Sequence, residues 1–434
     1  MNLETDWTTD TVIALRENFY AASQRKFQPY QKPLILKRGA GQYVWDENDN
    51  RLIDLLGMNV CISVGHCNAE VNRAASEQAQ QLTHCTTMFY HPVPAHFCAE
   101  LAATMPDGYD WVVHLTNSGA EAVDLALMMA RTFTGRNDVV ALQGAYHGPT
   151  YGAQSVTGIS GFRHSVGLPG NVQFAMTPNT YRGLFADRVE CYLDALESTI
   201  HFATTADLAA MIIEPIQGYA GAVPMPKGYI AGAAERVRAA GGVMIIDEVQ
   251  SGYGRSGSDF WSFNAHGVVP EIVVSAKGIG NGYPLGAVIA QRKVAEPMAE
   301  KFLFHTYGAN PVSCAAARAV LQIMQRDKLQ QNAQKVGAML LEGLSRLMDK
   351  YPIIGDIRGK GLLLGIELVE DRKTMRPATQ HTEAVFEQTR NHGLVTSKAG
   401  PHRSVLRLVP PLCLSTEDVD PIIDAMERSF ASLN

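Results

Sequence analysis

The chain has 434 residues, more than one hydrophobic core usually organises, and its 46% hydrophobic and 18% charged residues exclude a disordered chain. Its formal net charge of -6, without a run of like charges, gives no footprint for nucleic acid or an anionic membrane surface. No apolar stretch approaches the roughly 20 residues of a membrane span, and the seven cysteines lack paired spacing. We therefore expect a cytoplasmic protein of two domains with free thiols.

A hairpin pattern lies near the N-terminus, in residues 34 to 55. Its strand-like segments are Tyr43-Val44-Trp45-Asp46 and Leu52-Ile53-Asp54. We expect this hairpin to join the C-terminal region in one small domain. That domain would then be discontinuous, formed by residues 1–60 and 326–434, with a large domain at 61–325 between them.

Residues 61–325 alternate short apolar runs with helical patterns, which is typical of an α/β domain whose strands are buried on both faces. Ligands bind such a sheet at the carboxyl ends of its strands. The predicted strands are Trp111 to Thr116, Val139 to Leu142, Ala209 to Ile213, Val243 to Ile246, Ile272 to Ser275 and Gly286 to Ala290, and the predicted helices lie near Ala120 to Thr132, Lys227 to Ala240 and Pro311 to Gln325.

The C-terminal region has an α+β pattern. Its predicted elements are a helix over Leu329 to Lys350, a strand over Gly361 to Leu368, a helix near Glu383 to Asn391 and a strand over Val405 to Val409. Ser415, with Asp418 three residues later, forms a capping-box pattern at the start of a closing helix.

The segment Ser275-Ala276-Lys277-Gly278 places a lysine directly after a buried strand. A lysine removed from water favours the neutral amine, which can attack a carbonyl and form a Schiff base. The alternative is a lysine that ends the strand and points to water. The glycines that follow do not have dinucleotide-binding spacing, because Pro284 occupies the place where a phosphate-binding helix would begin.

A second segment, Asp247-Glu248-Val249-Gln250, delivers a carboxylate at the end of another apolar strand. A carboxylate in a cleft can hold a protonated ring nitrogen of a cofactor. A solvated loop aspartate is the competing interpretation.

Two strand ends are followed by glycine-containing turns. Thr116-Asn117-Ser118-Gly119-Ala120-Glu121 predicts a helix N-terminus that could bind an anion, although serine and asparagine are also ordinary N-cap residues. In Gln143-Gly144-Ala145-Tyr146-His147-Gly148, Tyr146 could stack on a planar cofactor or cover the core. His147 is ambiguous, since it could simply support its neighbours.

Together these segments resemble the class III aminotransferases, enzymes that use pyridoxal 5'-phosphate (PLP). The resemblance covers nearly the whole chain. The motifs that carry it, in the family's order, are Asn117-Ser118-Gly119-Ala120-Glu121-Ala122, Gly144-Ala145-Tyr146-His147-Gly148, Glu214-Pro215-Ile216-Gln217-Gly218, Asp247-Glu248-Val249-Gln250 and Ala276-Lys277-Gly278-Ile279-Gly280.

The resemblance implies an α/β protein of PLP-dependent transferase fold type I, with a large, mostly parallel mixed sheet and a smaller α+β domain. It implies that Lys277 and Asp247 are catalytic, as the Schiff-base lysine and the partner of the ring nitrogen. We expect no metal, because His66, Cys67, His91 and His96 lack the spacing of metal ligands. The other cofactor-binding positions would be Ser118, Gly119, Ala120, Tyr146, His147, Glu214, Val249, Gln250 and Thr306.

Two further segments bear on substrate and assembly. In the family segment that His305 to Pro311 resembles, the threonine, here Thr306, reaches the phosphate bound by a partner subunit. A homodimer with shared active sites follows, and tetramer formation is left open. Arg407 resembles the arginine that grips the substrate carboxylate; a surface-facing strand arginine is the alternative. Asn59 and Tyr90 are expected to border the substrate pocket.

Within the family the chain looks most like the alanine-glyoxylate type, through Gly65-His66-Cys67, Phe89-Tyr90-His91-Pro92 and Arg358-Gly359-Lys360-Gly361-Leu362. Tyr219 stands where the ornithine and 4-aminobutyrate enzymes carry a glutamate that pairs with the arginine, which favours small amino and keto acids such as alanine, pyruvate and glyoxylate. The chain is also similar to 2,2-dialkylglycine decarboxylase and to PLP-dependent phospho-lyases. Asn59 stands where that decarboxylase carries the longer glutamine, so decarboxylation ranks second, and elimination is the other alternative.

Overall fold

The largest sheet of the protein has seven strands, in a computed structural model that describes residues 7–433. One strand, Gly286–Gln291, runs antiparallel to both neighbours, and the other pairings are parallel. Across the sheet the strands are Trp111–Thr116, Gly286–Gln291, Ile272–Ser275, Val243–Asp247, Leu208–Ile213, Asp138–Leu142 and Val172–Ala175. The predicted large, mostly parallel sheet is confirmed, and its six predicted strands agree to within one residue at either end.

The seventh strand, Val172–Ala175, was not predicted from the sequence. It lies at the edge of the sheet, pairs only with Asp138–Leu142, and is mostly half-buried. A four-residue edge strand lacks the continuous apolar run by which the central strands are identified.

Two apolar layers cover the sheet. Val139 and Ala141 face one layer, which includes the helix Gly119–Thr134, whereas Val140 and Leu142 face the other. Burial on both faces explains why the central strands are apolar at successive positions. The helices of this region are Ala69–Gln81, Pro92–Ala102, Gly119–Thr134, Tyr151–Val156, Val189–Ala203, Tyr229–Ala239, Arg292–Ala295 and Pro311–Arg326, with short 3-10 turns at Ser160–Phe162, Ser262–His266, Lys277–Ile279 and Glu296–Glu300.

The C-terminal region forms an antiparallel sheet with three longer helices. The strands are Ile354–Lys360, Leu363–Asp371, Arg376–Pro377, Ser397–Ala399 and Val405–Leu408, and the helices are Leu329–Lys350, Thr379–Asn391 and Val419–Ala431. The predicted capping box of Ser415 and Asp418 is present, at a 3-10 turn over Thr416–Asp418 that leads into the last helix.

The N-terminal hairpin joins this C-terminal region. Strands Leu36–Ala40, Tyr43–Asp46 and Arg51–Asp54 are antiparallel, and Leu394–Val395 adds a parallel fourth strand beside Arg51–Asp54. Asp418 also accepts hydrogen bonds from Gln42 and Tyr43 at 2.6 and 2.5 Å. The two ends of the chain therefore meet, as expected, while the domain boundaries at 60 and 325 remain predictions.

The remaining short elements are the helices Thr9–Phe19, Ala22–Arg25 and Gly57–Val60 and a two-stranded ribbon of Ile216–Gln217 with Val223–Pro224. Within residues 7–433, no helix is long and apolar enough to cross a membrane.

Candidate active site

The carboxyl ends of three adjacent parallel strands bring the two predicted catalytic residues and the predicted cofactor-binding Glu214 to one edge of the large sheet. Asp247 ends the middle strand of the three, Lys277 follows the strand on one side, and Glu214 follows the strand on the other. Parallel strands that share an edge place their following residues together, so tertiary structure joins segments that are 30 or more positions apart.

Lys277 begins a short 3-10 turn, Lys277–Ile279, in the left-handed backbone region with φ of 51°. Burial lowers the pKa of its amine, and Arg407 lowers it further. The negative charges of Asp247 and Glu214 act in the opposite direction. The net lowering raises the neutral fraction of the amine, which is the nucleophilic form.

Asp247 forms a buried pair with His147. Asp247 is 4% exposed, and its Oδ2 lies 2.7 Å from Nδ1 of His147, while its Oδ1 accepts from the backbone N-H of Val249 at 3.0 Å. A carboxylate has no proton to donate, so Nδ1 of the histidine carries the hydrogen. His147, ambiguous from the sequence, therefore lies against Asp247 and fixes the direction of its carboxylate.

Glu214 holds two loops by their backbone amides. Its carboxylate oxygens accept from the N-H of Tyr146 and from that of Gly218, both at 3.0 Å. Burial raises the pKa of Glu214, Asp247 raises it further, and His147 lowers it. Both oxygens are used on the backbone, so Glu214 shapes the site through the Tyr146 loop.

The helix Gly119–Thr134 begins beside Val249. Ser118 is its N-cap, with its hydroxyl accepting from the N-H of Glu121 at 3.2 Å. A Cβ at Gly119 would lie 3.2 Å from Val249 and 3.3 Å from Ala276, so glycine lets the helix start approach the loop that carries Lys277. The first backbone N-H groups of a 16-residue helix, including that of Ala120, bind anions well.

Three aromatic rings form a cluster on the other side of the site. The ring of Phe162 lies edge-on to Tyr146 at 4.8 Å and to Tyr219 at 4.5 Å between centroids. Tyr146 and Tyr219 are themselves 6.0 Å apart. Burial raises the pKa of Tyr219, while the positive charges of Arg403 and Arg407 lower it, so the cluster lies within the electrostatic reach of Arg407.

Arg407 is a buried arginine with neutral partners. It is 4% exposed, in strand Val405–Leu408, and burial lowers its pKa to about 10. Its Nη1 donates to Oε1 of Gln250 at 3.0 Å, its Nη2 to Oδ1 of Asn59 at 2.9 Å, and its Nε to the hydroxyl of Ser397 at 3.3 Å. The five N-H groups of a guanidinium leave one on Nη1 and one on Nη2, and two such donors match a carboxylate.

No carboxylate in the described part of the chain lies within 4.0 Å of this guanidinium. Arg407 does not face the surface, as the alternative interpretation had it, because its side chain is buried by the neighbouring strands and by Asn59.

Tyr90 and Thr306 do not join Lys277 within one chain. Tyr90 is fully exposed and lines a separate cavity of about 590 Å³, together with His305 and Glu121. Thr306 is exposed next to His305, whose Nδ1 lies 3.4 Å from the side-chain Nδ2 of Asn117. Their predicted roles in cofactor and substrate binding stay predictions.

Two residues of the site were missed from the sequence. Ser397 reaches Arg407 only because Ser397–Ala399 pairs with Val405–Leu408, with Ser397 opposite Arg407. Phe162 lies in a short 3-10 turn without a motif. Neither residue type in isolation indicates a ligand site, so no sequence signal identified them.

These groups fit the predicted cofactor. Lys277 offers a neutral amine for an aldehyde, Asp247 a buried carboxylate for a protonated ring nitrogen, and the start of Gly119–Thr134 an anion site for phosphate. Gln250 uses its carbonyl oxygen on Arg407, which leaves its NH₂ group as a donor toward a phenolate oxygen.

Comparisons with known proteins agree. A family model described as aminotransferase class-III matches residues 25–430. An Arabidopsis thaliana protein named alanine-glyoxylate aminotransferase 2 homolog 2, mitochondrial, is 40% identical over 426 residues, covering 98% of this chain and 88% of the relative. The human alanine-glyoxylate aminotransferase 2, mitochondrial, is 36% identical over 427 residues, covering 92% of this chain and 82% of the relative.

A solved amine transaminase from an uncultivated Pseudomonas species, in its PLP-bound form, superposes with a TM-score of 0.87 at 30% identity, and 100% of each chain is covered. The chain therefore belongs to the class III aminotransferases, and it is an enzyme that uses pyridoxal 5'-phosphate, as its sequence motifs predict.

Proposed function

We propose that this aminotransferase moves the amino group of a small α-amino acid to a keto acid such as pyruvate or glyoxylate, in a ping-pong cycle. The observation that carries the proposal is Arg407, a buried guanidinium with neutral partners and two N-H groups left for a carboxylate. The names of the Arabidopsis and human relatives, both alanine-glyoxylate aminotransferases, support the same substrates.

Tyr219 supports the preference for small substrates. A glutamate at this position would pair with Arg407 and would have to move away before a carboxylate could bind. A tyrosine leaves the guanidinium available at all times, and together with Phe162 it places aromatic rings where a long side chain would extend. This arrangement disfavours ornithine and 4-aminobutyrate as substrates.

The chain's own groups divide the chemistry. When bound, PLP supplies an aldehyde that takes up the amino group and a ring that accepts electrons. Arg407 orients the substrate by its carboxylate, and the neutral Nζ of Lys277 acts as the base for the proton on the substrate's α-carbon. Asp247, held by His147, supplies the negative charge that keeps a proton on the ring nitrogen.

Arg407→Gln tests this proposal. We expect kcat/KM for alanine to fall about a hundredfold, because the substrate carboxylate loses its charged partner. Arg403→Gln is the control, since Arg403 is an exposed arginine whose positive charge, like that of Arg407, lowers the pKa of Tyr219. We expect this variant to change kcat/KM for alanine by less than about twofold. An Arg407→Gln variant that retains wild-type kcat/KM for alanine would refute the proposed role.

Decarboxylation and phosphate elimination rank second. The oxygen of Asn59 accepts from Arg407, so only its NH₂ group could donate to a substrate carboxylate, and an asparagine reaches less far than the glutamine of the decarboxylase. Measuring carbon dioxide and phosphate release across a panel of 2,2-dialkylglycines and amino-alcohol phosphates separates these reactions from transamination. Release of carbon dioxide or phosphate as fast as keto-acid formation would show that decarboxylation or elimination is the main reaction and would refute simple transamination.

We also propose that the active form is a homodimer, with Thr306 and Tyr90 of each chain completing the site of its partner. Met88, Phe89, Tyr90, Phe302 and Tyr307 are all largely exposed, and we call them the apolar surface. Phe89 and Tyr90 line the same cavity as Leu303 and His305, which joins the two segments in space.

An exposed apolar surface of this extent is typical of an interface between subunits. Light scattering on the purified protein tests the proposal, with a mass of about twice 47.2 kDa expected. A mass of one chain would overturn it, and a fourfold mass would show that dimers pair further.

A further inference from the structure

Asp54 is a buried carboxylate outside the set of groups that carry the chemistry. It ends the strand Arg51–Asp54 and is 0% exposed. Its Oδ1 accepts from the backbone N-H groups of Leu56 and Gly57, both at 2.9 Å, and its Oδ2 accepts from that of Met58 at 3.2 Å. The ring Nε2 of His66 lies 2.8 Å from Oδ2. Asp54 therefore caps the turn that follows its own strand.

That turn, Gly57–Val60, has an unfavourable backbone. The φ angles of Gly57, Met58, Asn59 and Val60 are 56°, 46°, 61° and 71°, so three residues with side chains lie in the left-handed region in succession. L-residues adopt this conformation at a cost, and it persists where surrounding contacts determine it. The three hydrogen bonds from backbone N-H groups to Asp54 are such contacts.

The turn holds Arg407 from two directions. Asn59 projects from it, and its Oδ1 accepts from Nη2 of Arg407 at 2.9 Å. The strand that carries Arg407 is tied to the residues before the turn, because the N-H of Val409 donates to the carbonyl of Leu55 at 2.7 Å. A Cβ at Gly57 would lie 2.7 Å from the carbonyl oxygen of Val409, so the turn and the strand end are in close contact.

His66 anchors Asp54 to the rest of the small sheet. Its backbone N-H and C=O pair with Gly41 at 2.7 and 3.1 Å, and a Cβ at Gly39 would lie 2.9 Å from its ring. The ring therefore has little room to move away from the carboxylate. Gly65-His66-Cys67 and Leu52-Ile53-Asp54, two segments to which the sequence assigns no part in substrate binding, meet at this point.

We propose that Asp54 and His66 are positioning residues for the substrate carboxylate. They fix the left-handed turn, the turn fixes Asn59, and Asn59 orients the guanidinium of Arg407. This inference rests on the proposed function, in which Arg407 binds that carboxylate. Without the turn, Nη2 loses its acceptor and the guanidinium gains rotational freedom, so a carboxylate binds less tightly.

Propionate, an unreactive carboxylate of the size of alanine, is the probe, and calorimetric titration of the PLP-loaded enzyme measures its dissociation constant. We expect Asn59→Ala and Asp54→Asn each to raise this constant about tenfold, as for loss of one hydrogen bond to a charged group. The double variant should raise it no further than either single variant, because both act on the same contact. His66→Ala, which leaves the backbone hydrogen bonds to Asp54 intact, should raise the dissociation constant of propionate about threefold.

Asp46→Asn is the matched control. Asp46 ends the neighbouring strand Tyr43–Asp46, is also buried, and its Oδ1 accepts from the N-H groups of Asn48 and Asn50, both at 2.9 Å. Its turn has no contact with Arg407 among the hydrogen bonds of the described residues. This variant should lower the melting temperature and leave the propionate constant unchanged.

The outcomes separate the inference from the proposed function. Wild-type propionate affinity in Arg407→Gln would overturn the proposed function itself. A loss in Arg407→Gln with wild-type affinity in Asp54→Asn and His66→Ala would overturn only the positioning role. Additive effects in the double variant, or an equal loss in Asp46→Asn, would also overturn it, since the effect would then be general destabilisation. If Asp54→Asn does not fold, His66→Ala decides the question by the same titration.

Discussion

Lys277 is the residue at which burial and chemistry coincide most directly. Lys277→Ala should lower turnover at least about a thousandfold, because it removes both the nucleophile and the base. Lys277→Arg should be as inactive, since a guanidinium keeps the charge but has no neutral amine near neutral pH. Steady-state kinetics together with the visible absorbance of the bound cofactor measures both variants. Substantial activity in either one would contradict the assignment of Lys277.

The ring of Phe162 lies edge-on to both Tyr146 and Tyr219, and we expect it to limit the space for a substrate side chain. Phe162→Ala should raise the ratio of kcat/KM for leucine to that for alanine about tenfold, since it removes a ring from the path of a longer side chain. Phe185→Ala is the control, because Phe185 makes a similar edge-on contact with Tyr192 at 5.0 Å away from the site. An unchanged ratio in Phe162→Ala would show that this ring does not limit substrate size.

The helix Gly119–Thr134 is the element whose position sets the anion site. Gly119→Val would place a branched side chain against Val249 and Ala276, which lie 3.2 and 3.3 Å from the position of a single Cβ. We expect the dissociation constant of PLP from the apoenzyme to rise at least about tenfold, because the helix start must move. Gly135→Ala at the other end, with φ of 69°, should cost about 1 kcal/mol of stability and leave the PLP constant unchanged. Fluorescence titration of the apoenzyme with PLP distinguishes the two.

The loop after Asp247 depends on a buried acid. Glu248 accepts from the hydroxyl of Ser251 at 2.6 Å and from the N-H of Phe263 at 2.8 Å, and burial raises its pKa from 4.5 to about 7. Because the pKa of Glu248 is raised in the folded protein, protonated Glu248 adds to the free energy of unfolding. This contribution is complete below about pH 4.5 and is lost as the pH rises through about 7.

Glu248→Gln mimics the protonated acid at every pH. The free energy of unfolding of the wild type should therefore fall relative to that of Glu248→Gln between pH 5 and pH 8, by about 3 kcal/mol at most. Urea unfolding of the apoenzyme at several pH values measures this difference. A constant difference between the two proteins over this range would contradict the raised pKa.

At the scale of the whole molecule, the apolar surface is the feature that a single chain leaves exposed to solvent. Phe302 is fully exposed, and its neighbour Leu303 lines the same cavity as Tyr90. If the proposed homodimer with shared sites forms, Phe302→Asp should lower the fraction of dimer and weaken PLP binding together, because burying a carboxylate in an interface is unfavourable and Thr306 would no longer reach the partner's phosphate.

Phe202→Asp is the control for that variant, since Phe202 is also exposed, at 88%, but lies on the helix Val189–Ala203 outside the apolar surface. Sedimentation velocity and PLP titration on both variants give the answer. Loss of dimer without any change in PLP affinity would show that the sites are not shared.

The sequence by itself determined the central strands, the residues at their carboxyl ends and the family. Lys277 and Asp247 follow apolar runs long enough to identify as buried strands, and their motifs are specific because a cofactor must meet an amine, an acid and a helix start in one place. The local signals at Ser415 and Asp418 were equally sufficient, because a capping box involves only neighbouring residues.

Only the tertiary structure decided which side chains surround Arg407. Asn59 and Ser397 reach it through a left-handed turn and a strand register, and neither can be read from residue types that are far apart in the chain. The same holds for His147, whose bond to Asp247 spans 100 positions and resolves an ambiguity in the sequence. Hydrogen bonds are short-ranged and directional, so long-range packing selects partners that composition and spacing leave open.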